Sequence, residues 1–287
     1  MKIGMIGTGL MGQPTTLRLQ ECGHNITAYN RTATKLQPLQ EHGITIATTP
    51  TEVLKACDCA ILMLSDAEAI ASTLFTPATK AALPNCTVIQ MGTIAPDESR
   101  SIAAQVQGAG GIYFEAPVLG SIPQVKAGSL IVMVGSTAEQ FQHWQPVLNC
   151  LGEQVMHIGP VGSGAAVKLA MNQLIGSLTT AFSLSLALVQ REQIEVDTFM
   201  QIVRNSALYA PTFDKKLERM LNRNFANPNF PTKHLFKDMK LFSQAAEAAG
   251  LSPLLSESVA RVVEQAIAQG LADQDYSALY EAVNSRE

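Results

Sequence analysis

Between Gly164 and Gln190 the chain carries one charged side chain, Lys168, in the stretch GAAVKLAMNQLIG. A lysine in so apolar a run is costly to bury without a partner. In a cleft its ammonium can hand a proton to a developing alkoxide and steady the negative charge. Asn172 follows four residues later, so on a helix it projects from the same face and can fix the reacting oxygen. The plain alternative is a lysine that snorkels to solvent near a helix start. A second set opens the chain, MKIGMIGTGLMGQP, in which Gly7, Gly9 and Gly12 have the G-x-G-x-x-G spacing. An apolar strand precedes them and a helix start follows, a context in which the backbone can approach a pyrophosphate. The spacing alone is weak, and a tight strand-to-helix turn without a ligand is its alternative.

The end of the next strand decides which dinucleotide such a turn would take. NAD sites usually place an acidic residue there, on the ribose 2′-hydroxyl. This chain has Asn30, Arg31 and Thr32 instead, with no carboxylate to repel a 2′-phosphate. The Arg31 guanidinium is suited to gripping that phosphate and the two neutral side chains to bonding it. The expected cofactor is therefore NADP, against the simpler reading of Asn30 as a helix cap and Arg31 as a solvated charge.

The elements that must position these residues are legible as a change of pattern. Strands are expected at Lys2–Ile6, Ile26–Tyr29, Cys59–Leu64, Thr87–Gln90, Ile112–Glu115, Leu130–Val134 and Val155–Ile158. Helices are expected between them at Gly12–Glu21, Ala33–Glu41, Thr51–Ala56, Ala67–Leu74 and Ser99–Gln107. That alternation implies βαβ units and a parallel sheet. After GPVGSG (Gly159–Gly164) helical patterns dominate. The expected fold class is α/β, a Rossmann-type doubly wound domain over residues 1–160 followed by an all-α domain over 161–287.

The chain has 287 residues, of which 47% are hydrophobic and 15% charged, a globular balance. A net charge of -4 gives no reason to expect nucleic-acid binding. Leu169–Val189 lacks charge, but Asn172, Gln173 and several serines and threonines would insert poorly in a membrane, so a helix buried between domains or subunits is expected. Cys57 and Cys59 flank a strand entrance and read as small buried side chains. The five histidines show neither relay nor metal pattern, and His234 is taken as a solvated helix position. With no signal peptide at the start, the cytoplasm is the expected compartment.

Several separate motifs resemble the β-hydroxyacid dehydrogenase family over nearly the whole chain. They are GMIGTGLMGQP, EAPVLGS (Glu115–Ser121), GPVGSGAAVKLAMN (Gly159–Asn172) and NFPTKHLFKDMKL (Asn229–Leu241). The last of these and the NRT stretch are closest to the glyoxylate/succinic semialdehyde reductase branch. The resemblance implies NADP contacts at Met5 through Gly12 (Gly7, Thr8, Gly9, Leu10, Met11 and Gly12 forming the turn), with Asn30, Arg31 and neighbouring Thr32. It adds Met63, Leu64, Thr93 and Lys237. It implies substrate contacts at Ser121, Lys168, Asn172, Phe230 and Asp238, with Lys168 as proton donor and Asn172 beside it. It also implies a small carboxylate substrate and a homodimer or homotetramer. Leu119 departs from the pattern, standing where relatives commonly have serine. An NAD-dependent 3-hydroxyisobutyrate-type dehydrogenase, an imine reductase and a non-catalytic cofactor-binding scaffold are the alternatives. Lys168 argues against the last two.

Overall fold

In the computed structural model residues 1–284 are described. Nine strands form one sheet: β1 (Lys2–Ile6), β2 (Asn25–Tyr29), β3 (Thr45–Ile46), β4 (Cys59–Leu62), β5 (Thr87–Gln90), β6 (Ile112–Glu115), β7 (Val118–Leu119), β8 (Ile131–Gly135) and β9 (Gln154–Gly159). The path β3-β2-β1-β4-β5-β6 is parallel throughout. β8 then runs antiparallel to β6 and β7, and β9 lies parallel to β8. The sheet is therefore mixed, not wholly parallel as the sequence pattern suggests.

The helices of this half are α1 (Gly12–Glu21), α2 (Gln37–Glu41), α3 (Pro50–Ala56), α4 (Ala67–Leu74), α5 (Pro77–Lys80), α6 (Pro96–Gly108), α7 (Ile122–Ala127) and α8 (Ala138–Leu148). The single helix expected over Ala33–Glu41 is a 3₁₀ turn, Ala33–Leu36, followed by α2. Pro38 explains the break. It fits the first turn of α2, and without an N–H it cannot bond back through a continuous helix. Alternate strand residues feed two apolar layers, Ile3, Met5, Ile61, Ile89 and Phe114 on one face and Ile6, Ala60, Leu62, Val88 and Tyr113 on the other. Burial on both faces is what parallel strands with helices on either side require.

From β1 the chain winds outward to β2 and β3, then returns to place β4 on the other flank of β1. Ligands of such sheets gather outside the carboxyl ends of the strands at that reversal.

α9 (Ser163–Arg191) leads into the second half, with α10 (Val196–Arg204), α11 (Pro211–Leu221), α12 (Thr232–Ala248), α13 (Leu254–Ala266) and α14 (Leu279–Val283). No strand of the sheet lies beyond Gly159 among the described residues. Two cores hold this half together, one around Leu235, Met239, Val259 and Val263, the other around Phe182, Leu186, Met200 and Phe213. The apolar character of α9 thus feeds these cores. Although the helix is long and apolar enough to cross a membrane, Asn172, Thr179 and Ser183 on it are buried.

The compact units divide at Leu169/Ala170, inside α9, where the pattern change alone points to 160/161. The reason is local: amides at the start of α9 bond to Glu115 at the end of β6, which ties the first turns of the helix to the sheet.

Candidate functional site

The glycine turn sits between the ends of β1 and β4. Gly7 has φ +99, a left-handed conformation that side chains other than glycine adopt only under strain. A Cβ on Gly7 would stand 2.4 Å from the Met63 carbonyl oxygen, and one on Gly12 only 1.9 Å from the Gly7 oxygen. Gly9 differs, because a Cβ there would meet nothing within 4 Å. Two of the glycines therefore close the turn and the third faces open space. Beside it the Thr8 hydroxyl oxygen is buried with no hydrogen-bond partner among the described residues. Such groups normally find one. Open space at Gly9, an orphaned hydroxyl and the start of α1 fit the phosphates of a dinucleotide.

Other strand ends carry further residues expected at the site, and Met63 and Leu64 lie directly against Gly7. Met63 and Leu64 follow β4, and the Met63 amide donates to the Ile6 oxygen at 2.9 Å. Thr93 follows a loop closed by Gln90, which is 1% exposed; its amide donates to the Gly92 oxygen at 3.0 Å and accepts from the Gly92 N–H at 2.8 Å. Leu10 is exposed and Met11 half-buried on the same turn. Asn30 has a task that the sequence does not announce. Its side-chain oxygen accepts from the Thr8 N–H at 3.0 Å and its NH₂ donates to the Thr32 oxygen at 3.0 Å, latching the glycine turn to the end of β2. Arg31 and Thr32 beyond it are exposed.

Leu119, in β7 opposite Ile131, is half-buried. Ser121 is buried at the start of α7. Both its N–H (3.0 Å) and its hydroxyl (2.7 Å) donate to the side-chain oxygen of Gln124, the manner in which a carboxylate oxygen would be held.

Lys168 is half-buried in the second turn of α9, and Asn172 lies one turn further on. Within the second unit Asn172 is 2% exposed and its NH₂ donates to Asp238 Oδ2 at 2.6 Å. Lys237 Nζ is 2.9 Å from Asp238 Oδ1, an ion pair whose angles leave that oxygen without an aligned hydrogen bond. Asp238 is 1% exposed, so its carboxylate is committed to Asn172 and Lys237. His234, expected in solvent, is half-buried in the first turn of α12, where burial pushes its pKa down against the pull of Asp238.

Two carboxylates were not singled out by sequence reasoning. Asp275 is wholly buried and accepts from Lys216 Nζ at 2.7 and 2.9 Å, from the Ser277 N–H and hydroxyl at 3.1 and 2.7 Å, and from the Asn229 N–H at 3.4 Å. With the Tyr276 N–H, which donates to the Phe230 oxygen at 3.0 Å, it holds the segment that presents Phe230. Glu115 is the second; it bounds both a strand and the EAPVLGS segment that resembles the family's substrate-binding stretch, but neither reading gives it a role of its own. No periodicity marks either residue, since apart from Ser277 their partners lie far away in sequence.

Comparison with known proteins follows these two halves. Residues 2–159 match the NAD binding domain of 6-phosphogluconate dehydrogenase, and residues 162–283 match the NAD-binding domain of NADP-dependent 3-hydroxyisobutyrate dehydrogenase. The chain is similar to glyoxylate/succinic semialdehyde reductase 1 of Arabidopsis thaliana, 33% identical over 100% of both chains. It is also similar to the chloroplastic reductase 2 of that plant, 29% identical over 99% of this chain and 80% of the other. Among solved structures, the 3-hydroxyisobutyrate dehydrogenase of Mycobacterium tuberculosis with L-serine superposes with a TM-score of 0.89 at 23% identity, covering 99% of each chain.

Proposed function

The chain belongs to the β-hydroxyacid dehydrogenase family and is an NAD(P)-dependent oxidoreductase, and from that premise we propose that it uses NADPH to reduce small aldehyde- or keto-acids such as glyoxylate and succinic semialdehyde. The observation that carries this reading is the pair Lys168 and Asn172 on one face of α9, with the Asn172 amide oriented by a buried carboxylate. A carboxylate can only accept, so the NH₂ must face Asp238, and the carbonyl end of Asn172 is left for a donor. Bound NADPH supplies a hydride. Lys168 then donates the proton that the new alkoxide needs and steadies its charge as it forms. Asp238 acts through Asn172 in this scheme, and Phe230 covers the substrate. The glycine turn, Met63, Leu64 and Thr93 hold the cofactor, with Lys237 beside them in role. We take the active form to be a homodimer or homotetramer, for which the exposed Leu174, Leu178, Leu184 and Leu188 of α9 supply apolar surface.

The test is a steady-state panel of small carbonyl acids and matched aldehydes lacking the acid group, each with NADPH and NADH. Strong preference for the acids supports the reading, and equal rates on both sets overturn it. An NAD(P)-dependent 3-hydroxyisobutyrate-type dehydrogenase activity is the second reading, favoured in its substrate type by the match over residues 162–283, and the same panel separates the two.

Arg31 is exposed at the end of β2, where a 2′-phosphate would stand. Arg31→Asp is expected to weaken NADPH binding by roughly tenfold to a hundredfold, the worth of a charge-assisted contact. NADH binding should change little. Fluorescence titration of both cofactors checks this, and a wild type that binds them equally would refute the assignment.

Leu119 is an apolar side chain at the strand that leads to Ser121. Leu119→Ser is expected to raise kcat/KM for glyoxylate relative to succinic semialdehyde, by about the tenfold that one well-placed hydrogen bond supplies. An unchanged ratio would place Leu119 away from the substrate.

A further inference from the structure

Glu115 is a glutamate at the end of β6, only 1% exposed, with no lysine or arginine bonded to it among the described residues. Its carboxylate is nevertheless well supplied with donors. Oε2 accepts from the Gly162 N–H at 3.0 Å and from the Ser99 hydroxyl in a short hydrogen bond, while Oε1 accepts from the Ala165 N–H at 2.9 Å. Ser99 Oγ is in turn 2.8 Å from the Tyr113 hydroxyl. Two glycines make room for it: a Cβ on Gly135 would stand 2.3 Å from Oε1 and one on Gly164 2.8 Å. Burial pushes the Glu115 carboxyl up, against hydrogen bonds from Ser99 and the amides of Ala165, Gly162 and Gly164 that pull it down.

These amides belong to the start of α9, where the first N–H groups of a helix have no partner within it. Lys168 lies four residues after Gly164 and three after Ala165. In an α-helix its own N–H bonds the Gly164 carbonyl. The peptide units that Glu115 holds from one side therefore hold Lys168 from the other.

We propose that Glu115 is a positioning residue for the reaction, clamping the first turn of α9 to the end of β6 so that the Lys168 ammonium is held where it must donate. This rests on the reading of Lys168 as proton donor. A catalytic group misplaced by about 1 Å can lose a hundredfold in rate. Glu115→Asp withdraws the carboxylate by one methylene, and Glu115→Gln keeps the length but turns one acceptor into a donor.

The experiment is a double-mutant cycle on the full chain, reading the single-turnover rate of NADPH oxidation with glyoxylate and succinic semialdehyde, the Kd for NADPH, and the melting curve. Glu115→Asp and Glu115→Gln are each expected to slow turnover by about tenfold to a hundredfold. NADPH Kd should stay within about twofold, with unfolding still cooperative. In a Lys168→Met background neither should slow the residual reaction by more than about twofold, because groups acting as one unit are not additive. If Glu115→Asp does not fold, Glu115→Gln and Ser99→Ala, which removes one donor and leaves the helix amides in place, carry the same cycle. Wild-type turnover in the Glu115 variants, or an equal further loss on top of Lys168→Met, overturns the positioning role alone. A Lys168→Met enzyme of near-normal rate overturns the proton-donor reading, and the positioning role with it.

Discussion

Lys168→Met is expected to lower kcat by about 10²–10⁴-fold, the range a positioned proton donor contributes. The substitution keeps the apolar stem, and the residue is half-buried in a helix that the two cores of the second half and a buried cap already hold, so folding should survive. The fall should appear in kcat and kcat/KM together, because the interaction is made as the alkoxide forms and not in the resting complex. NADPH affinity should change little, since the glycine turn and Arg31 are remote from Lys168 in sequence and role. Pre-steady-state kinetics and a cofactor titration check the pair of numbers. A variant with near-normal kcat would reduce Lys168 to a structural lysine.

Asp275→Asn should produce the largest loss of stability, about 3–5 kcal/mol, the usual cost of breaking a buried ion pair from one side. Lys216 is 3% exposed and would be left with its ammonium over the Tyr276 ring, 4.2 Å from the ring centre, and without its carboxylate. Asparagine keeps one oxygen, so one of the Ser277 and Asn229 N–H groups would face an NH₂ in place of its acceptor. Lys216→Met combined with Asp275→Asn should recover part of the loss, because no charge is then stranded. Chemical denaturation of the three variants measures it, and a change below about 1 kcal/mol in the single variant would show that the pair is dispensable. The pH dependence follows the same contacts. Burial pushes the Asp275 carboxyl up, but the Lys216 ammonium and the Ser277 donors outweigh it and hold the pKa below the ordinary value. A carboxylate depressed in the folded state contributes stability above its unfolded pKa and loses it as pH falls through the folded one. The wild type should therefore shed this part of its stability below about pH 4, the ordinary aspartate range. Asp275→Asn should lack that portion of the acid slope.

What the sequence discloses and what it conceals divide along physical lines. β1, β5, β6, α1 and α4 stand where the apolar periodicity places them, because each is long enough to show its repeat and is bounded by turn residues. The two-residue strands β3 and β7 are too short for any period, and the antiparallel course of β8 depends on the reversal through α7 and the left-handed Gly128, which hydrophobicity does not encode. α8 was hidden by Pro146 within it. The glycine turn was legible since its spacing states a backbone requirement directly. The partners of Asp238 and Glu115 were not, because a carboxylate looks alike in sequence whether it meets water, an amide 66 residues away or a helix start 47 residues away.

Under the proposed NADPH reading, the Asn30 latch has a consequence for anyone who would redesign this chain to run on NADH. The customary exchange puts an aspartate at the end of the second strand, where its oxygens bond the ribose hydroxyls. Here that position already serves as a two-handed clasp, accepting from Thr8 with one end and donating to Thr32 with the other. Aspartate has no N–H to offer Thr32, and an oxygen held by Thr8 is poorly free to meet a ribose. The clasp and the cofactor selector compete for one side chain. A switch of coenzyme is better built one residue further on, at Arg31, leaving the loop's own fastening untouched.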